Sequence, residues 1–177
     1  MRASGAAVAL CESPDLYQAV HGYDGPTAIG SETQVQEDKM EEDLKSKTAR
    51  VAKLYFDGYS DERPFDLWRS FDKELAKDLS LFISGQMYAR ERIPHTTRQL
   101  VTVAALTVLE RSEELKLHLY AALNVGCDPR EVSEVIFQSG IYGGMPVVNR
   151  ALKVLREVLQ ERGEWPLAQR PEEQRGL

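Results

Sequence analysis

The stretch "PHTTRQLVTVAALTVLERSEELKLHLYAALNVGCDPRE", Pro94 to Glu131, decides the fold. After Pro94, Thr96 and Gln99 have the spacing of a capping box, in which side chains satisfy backbone N–H groups that a helix start leaves open. From Leu100 to Leu109 the chain is nearly all apolar, a pattern that places this helix in the middle of the domain. Ser112 is a candidate N-cap for a second helix, with Glu113 and Glu114 in the first turn, where negative charge is favourable. Gly126 ends that helix. Asp128 then offers an N-cap, Pro129 occupies the first helical position and Glu131 closes a second box.

Upstream, Leu75, Leu79, Phe82 and Ile83 recur at helical spacing and predict a helix from about Phe71 to Ala89. A charged helical pattern begins near Val35 and runs through "EEDLKSKTARVAKLYFDGY" until "SDERP" breaks it. Residues 1–34 are rich in Gly, Ser, Ala and Thr and read as an irregular arm. Downstream, a helix from Pro129 reaches about Tyr142, "GGMP" interrupts it, and "VVNRALKVLREVLQERG" forms a last amphipathic helix ending at Gly163. No segment sustains a strand-like alternation. The expected architecture is all-α, a bundle of five to seven helices, divided into an arm over 1–45, a helical domain over 46–163 and a polar tail over 164–177.

The 177 residues suffice for one domain with a real core. A net charge of −6 argues against general nucleic-acid binding, and any anionic ligand must be held by a local positive cluster. Cys11 and Cys127 are far apart and form neither a CxxC nor a zinc pattern, so a reducing cytoplasm is the simplest setting. The apolar run in "MRASGAAVALCESP" is too short for a secretory core, and no stretch approaches the roughly 20 apolar residues of a membrane span.

Three features are candidates for chemistry. On the second helix, Leu115, Leu119, Ala122 and Gly126 form one stripe at 100° per residue, and His118 lies beside it. Glu114 stands one turn earlier, where a carboxylate can orient the imidazole and favour its protonated form. His118 can equally be a satisfied boundary residue without chemistry. Arg90, Arg92, His95 and Arg98 make a positive patch suited to carboxylate capture, or simply a solvated loop. Tyr142, before two glycines, brings a hydroxyl to a helix break. There is no phosphate cradle, HExxH, EF-hand loop or GxSxG, and histidines at 21, 95 and 118 lack metal-site spacing. Neither metal nor cofactor is expected.

Taken in order, "TTRQLVTVAALTVLERSEELKLHLYAALNVGCDPREVSEVIFQSGIYGGMPVVNRALKVLREV" resembles the carboxymuconolactone decarboxylase family of the alkylhydroperoxidase D-like superfamily. The run ELKLH…AALNxG…EVxEV…YxGxP…A carries the likeness over about residues 65–160, and "FISGQMYARERI" extends it upstream. The superfamily's peroxidases carry a CxxC ahead of the histidine; here Arg111 and Glu114 stand at those positions, so thiol-disulfide chemistry is absent. The resemblance implies a cofactor-independent carboxy-lyase acting on a lactone acid such as 4-carboxymuconolactone, in aromatic catabolism. It implies Arg90 and Arg98 as carboxylate anchors, His118 in proton delivery or oxyanion donation, Glu114 orienting His118, and Tyr142 lining the pocket. It also implies a homotrimer or homohexamer. The alternatives are a relative acting on another lactone or keto acid, and a non-catalytic oligomeric binding protein on the same scaffold.

Overall fold

In a computed structural model the chain is described over residues 29–167. The expected arm up to residue 28, and the tail beyond 167, lie outside the described residues. Among the described residues, internal contacts group 29–40 apart from 41–167. Seven α-helices and one π-helical segment follow in order: α1 (Ile29–Phe56), α2 (Pro64–Phe71), α3 (Lys73–Ser80), the π segment (Leu81–Tyr88), α4 (His95–Val108), α5 (Ser112–Asn124), α6 (Pro129–Gly143) and α7 (Met145–Glu161). No strand occurs among the described residues. The all-α bundle expected from periodicity is the fold observed.

The main core is built by α4 to α7, with Val103, Leu119, Ile136, Val148 and Leu155 packed together and removed from water. Each such side chain contributes roughly 1.5–3 kcal/mol by burial. Helix α5 lies at the centre. Leu115, Leu117, Leu119, Tyr120, Ala121, Ala122 and Leu123 are all buried, and Ala121 packs on a second cluster with Val51 and Tyr55 of α1. The sequence pattern places α4 there instead, and this is corrected by the structure. Only Gln99, Val103 and Thr107 of α4 are buried, and Val101 is 62% exposed. Apolar composition all round a helix is compatible with an uncovered face; burial depends on what packs against it.

Several boundaries also differ. Helix α1 begins at Ile29, ahead of Val35, because nothing between them breaks a helix. The single helix expected from Phe71 to Ala89 is three pieces. Asp72 is extended and its carboxylate accepts from Leu75 N at 3.0 Å, so it caps a new helix while ending α2. Past Ser80 the backbone widens to i→i+5 bonding, with Ala89 N donating to Ser84 O at 3.0 Å. Helix α4 starts at His95 with Pro94 as its N-cap, and neither Thr96 nor Ser112 caps a helix with its side chain. Asp128 does cap α6, accepting from Arg130 N at 2.8 Å, with Pro129 in the first turn. The chain turns out of α5 through Gly126 and out of α7 through Gly163, both with positive φ.

The π segment can approach α1 because of one missing side chain. A Cβ at Gly85 would sit 2.3 Å from Thr48 Oγ1 and 2.7 Å from Leu44 Cδ1. Gly85→Ala is therefore expected to cost about 1–3 kcal/mol through overpacking. A urea midpoint equal to wild type would show that this approach is not a constraint.

Candidate active site

Between α1, α2, α3, the π segment and α5 lies a cavity of about 540 Å³. Its wall is mostly apolar and aromatic, with Phe56 from α1, Phe65 and Trp68 from α2, Tyr88 from the π segment and Leu117 from α5. His118 is the one histidine in this wall, and Lys45, Arg63 and Lys77 are its cations.

Helical periodicity sets His118 beside the core-facing stripe of α5, and the tertiary fold gives it a partner from α4. His118 Nδ1 lies 3.0 Å from Gln99 Oε1. An amide oxygen accepts only, so with this amide orientation Nδ1 carries the ring proton and Nε2 keeps its lone pair. Nε2 has no hydrogen-bond partner among the described residues. The ring also meets Tyr88 edge to face, with centroids 6.2 Å apart. Gln99 is fully buried, on the same face of α4 as Val103 and Thr107. Its amide lies close to the Tyr55 hydroxyl, while its Nε2 is buried without a partner. Tyr55 in turn shares a 2.6 Å hydrogen bond with His95 Nδ1. A polar chain thus runs from the cavity wall through Gln99 and Tyr55 to His95.

Burial governs the charge of these groups. It pushes His118 down to about 4, against a small opposing effect of Glu114. It also raises the Tyr55 and Tyr88 hydroxyls and lowers His95. At neutral pH His118 is an uncharged imidazole, whereas the sequence reading has a carboxylate favouring the imidazolium. Glu114 is exposed and forms no hydrogen bond to His118, so its charge acts through solvent and loses to desolvation.

The other expected site residues are not gathered in the cavity wall. Arg90 is exposed, and its carbonyl oxygen accepts from Arg98 Nη2 at 2.9 Å. Arg98 is half-buried with its Nε unpartnered, near enough to Tyr55, Tyr88 and His95 to bias their titration, but it does not line the cavity. Tyr142 is 77% exposed on α6 and outside the cavity wall. Sequence reasoning missed Gln99 by assigning it to a cap; the signal was its i, i+4, i+8 spacing with Val103 and Thr107. The aromatic wall left no local signal, because its members come from three separate elements. Among the described residues no group of three or more His, Cys, Asp or Glu could hold a metal. Nor is any described helix long and apolar enough to cross a membrane.

The sequence profile of the carboxymuconolactone decarboxylase family matches residues 73–157. The chain is also 34% identical, over 104 residues, to a 4-carboxymuconolactone decarboxylase of Acinetobacter baylyi, covering 59% of this chain and 78% of that protein. The chain belongs to the carboxymuconolactone decarboxylase family. A second relative, an uncharacterised 15.0 kDa protein from the nqo9–nqo10 intergenic region of Paracoccus denitrificans, is 35% identical over 82 residues, 45% of this chain and 61% of its own length. The family match spans α3 to α7 and so includes Gln99 and His118. Helices α1 and α2, which supply Lys45, Phe56, Phe65 and Trp68, precede it, as does Arg63 at the N-cap of α2. This family member therefore draws its histidine from the shared segment and much of its cavity wall from outside it.

The depressed His118 value has a consequence for stability. Between about 4 and 6.5 the unfolded chain binds a proton at this ring that the folded chain does not. Stability therefore rises with pH across that window and falls, by up to about 3 kcal/mol, as pH drops through it. His118→Gln removes this slope. An unchanged pH dependence of unfolding in the variant would refute the assignment.

Proposed function

We propose that the protein is a cofactor-independent carboxy-lyase acting on an acid whose departing carboxylate leaves its electrons conjugated to a carbonyl. Lactone acids such as 4-carboxymuconolactone form this class, and keto acids are the second possibility within it. In such substrates the C–CO₂ bond breaks heterolytically, the electron pair passes into the carbonyl as an enolate, and a proton added to carbon completes the product. The substrate is its own electron sink, so the protein need only bind the anion, support the enolate and supply that proton.

The observation that carries this reading is His118, in a largely apolar cavity wall, with Nδ1 engaged by Gln99 and Nε2 unengaged. A substrate carboxylate arriving near the neutral ring favours protonation at Nε2, since an opposite charge within about 4–6 Å stabilises the cation. That proton is then the one delivered to carbon as CO₂ leaves. Apolar surroundings favour the neutral product CO₂ over the carboxylate it came from. Gln99 is a positioning residue, fixing ring orientation and which nitrogen is available. Glu114, Arg98, Arg90 and Tyr142 have no direct part in this scheme; the cavity's own cations take the anchoring role.

His118→Ala is expected to lower kcat for a lactone acid by about 10²- to 10⁴-fold, followed as CO₂ release and loss of lactone absorbance. Gln99→Leu should lower kcat by less and shift the pH–rate profile, because the ring can then exchange tautomers. Wild-type turnover by His118→Ala would sink the role given to His118, whereas no turnover of lactone or keto acids by the wild type would leave a non-catalytic binding role.

The proposed working form is a homo-oligomer, a trimer or hexamer. Supporting it, Phe137, Ile141 and Tyr142 of α6 and Met145 of α7 form exposed apolar surface. Ile141→Asp should sediment as a smaller species than wild type. An identical sedimentation coefficient would place self-association elsewhere or nowhere.

A further inference from the structure

We infer that the acid accepted by this cavity is a monocarboxylate with a bulky, ring-bearing apolar body, and that small dianions bind poorly. This rests on the decarboxylase reading and narrows it, because 4-carboxymuconolactone itself is a small dianion.

Three observations converge. The first is size: about 540 Å³ falls in the range that encloses drug-sized ligands, whereas one five-membered lactone with two short acidic substituents leaves much of it unfilled. The second is the wall. Phe56, Phe65 and Trp68 offer ring faces and edges, which gain most from covering another ring and gain nothing from a carboxylate. These three lie on α1 and α2, outside the segment that the family profile matches.

The third is charge. Lys45, Arg63 and Lys77 bring three positive charges to the cavity, but each is already paired. Glu41 lies 3.0 Å from Lys45 Nζ and 3.4 Å from Lys77 Nζ, and Asp66 Oδ2 lies 2.9 Å from Arg63 Nε. The two lysines hold the Glu41 carboxyl below its usual range, so it stays charged. With His118 neutral, three cations less two carboxylates leave one net positive charge in the wall, enough for one anionic group. A second carboxylate is compensated only by a proton taken up on the buried His118 ring, which desolvation opposes.

The test is calorimetric titration of the full chain with two probes, 2-naphthylacetate (a monoanion with a fused-ring body) and cis,cis-muconate (a small dianion). Naphthylacetate should bind at least about tenfold tighter, the gain expected from covering the second ring. Muconate binding as tightly or more tightly overturns the inference. Trp68→Ala should weaken naphthylacetate by about tenfold while changing muconate less than twofold; an equal loss for both would remove the aromatic wall from the argument and overturn it. Glu41→Gln, an exposed change with little risk to folding, should strengthen muconate by about three- to tenfold, since it adds one net positive charge at the cavity. No change in muconate affinity would overturn the charge argument. All three readings are of binding without turnover, so they stand or fall apart from the fate of His118→Ala in the decarboxylation assay.

Discussion

Beyond its first turn helix α5 is enclosed on nearly every side, and the four polar side chains it carries there are satisfied by other elements. The Tyr120 hydroxyl donates to Glu161 at 2.7 Å. Lys116, largely covered, reaches Asp61 at 2.8 Å, Glu161 at 2.9 Å and Glu157 at 3.2 Å, and these carboxylates hold its amine well above the usual lysine range. Asn124 donates to the carbonyls of Tyr55 and Asp57 at 3.0 and 2.9 Å, tying down the end of α1, and accepts from Arg162 at 2.8 Å. His118 finds Gln99. An unpaired polar group at any of these places would cost about 1–3 kcal/mol or more. The central helix thus determines where α1, α4 and α7 stand.

The candidate site is a by-product of that arrangement. Leu117 and His118 face the cavity while Leu115 and Leu119 face the core, so one helix separates the packed side of the domain from the open one. Asn124 fixes the stretch of α1 that carries Tyr55 and Phe56, one lodged beside Gln99 and the other in the cavity wall. Close approach at Gly85 brings Ser84 and Tyr88 to the same space. An imidazole held there is neutral because its surroundings are poor in water, and its reactivity depends on what a substrate brings with it.

Much of this was legible in the residues. Asp128 and Pro129 opened α6 as read, Gly126 and Gly163 closed their helices, and Leu115, Leu119 and Ala122 took the buried stripe that a 100° rotation assigns them. These are local properties: a cap, a turn and a periodicity are each complete within a few residues. The choice of central helix was not legible, because α4 and α5 are both apolar and only packing distinguishes them. Nor was the partner of His118. Glu114 is near it in sequence and Gln99 near it in space, and desolvation favours the neutral contact over the charged one.

The sequence by itself determined that the domain is helical, where α5, α6 and α7 begin and end, and that His118 sits at the border of a core stripe without thiols beside it. Membership of the family follows from the same residues, α3 to α7, that carry those local signals. Only the tertiary structure decided that Arg90, Arg98 and Tyr142 stay out of the cavity, that Gln99 holds the histidine, and that aromatic residues from α1 and α2 form the wall opposite. The reason is physical. Periodicity and capping are set by neighbours along the chain, whereas charge state, cavity shape and hydrogen-bond partners are set by neighbours across it.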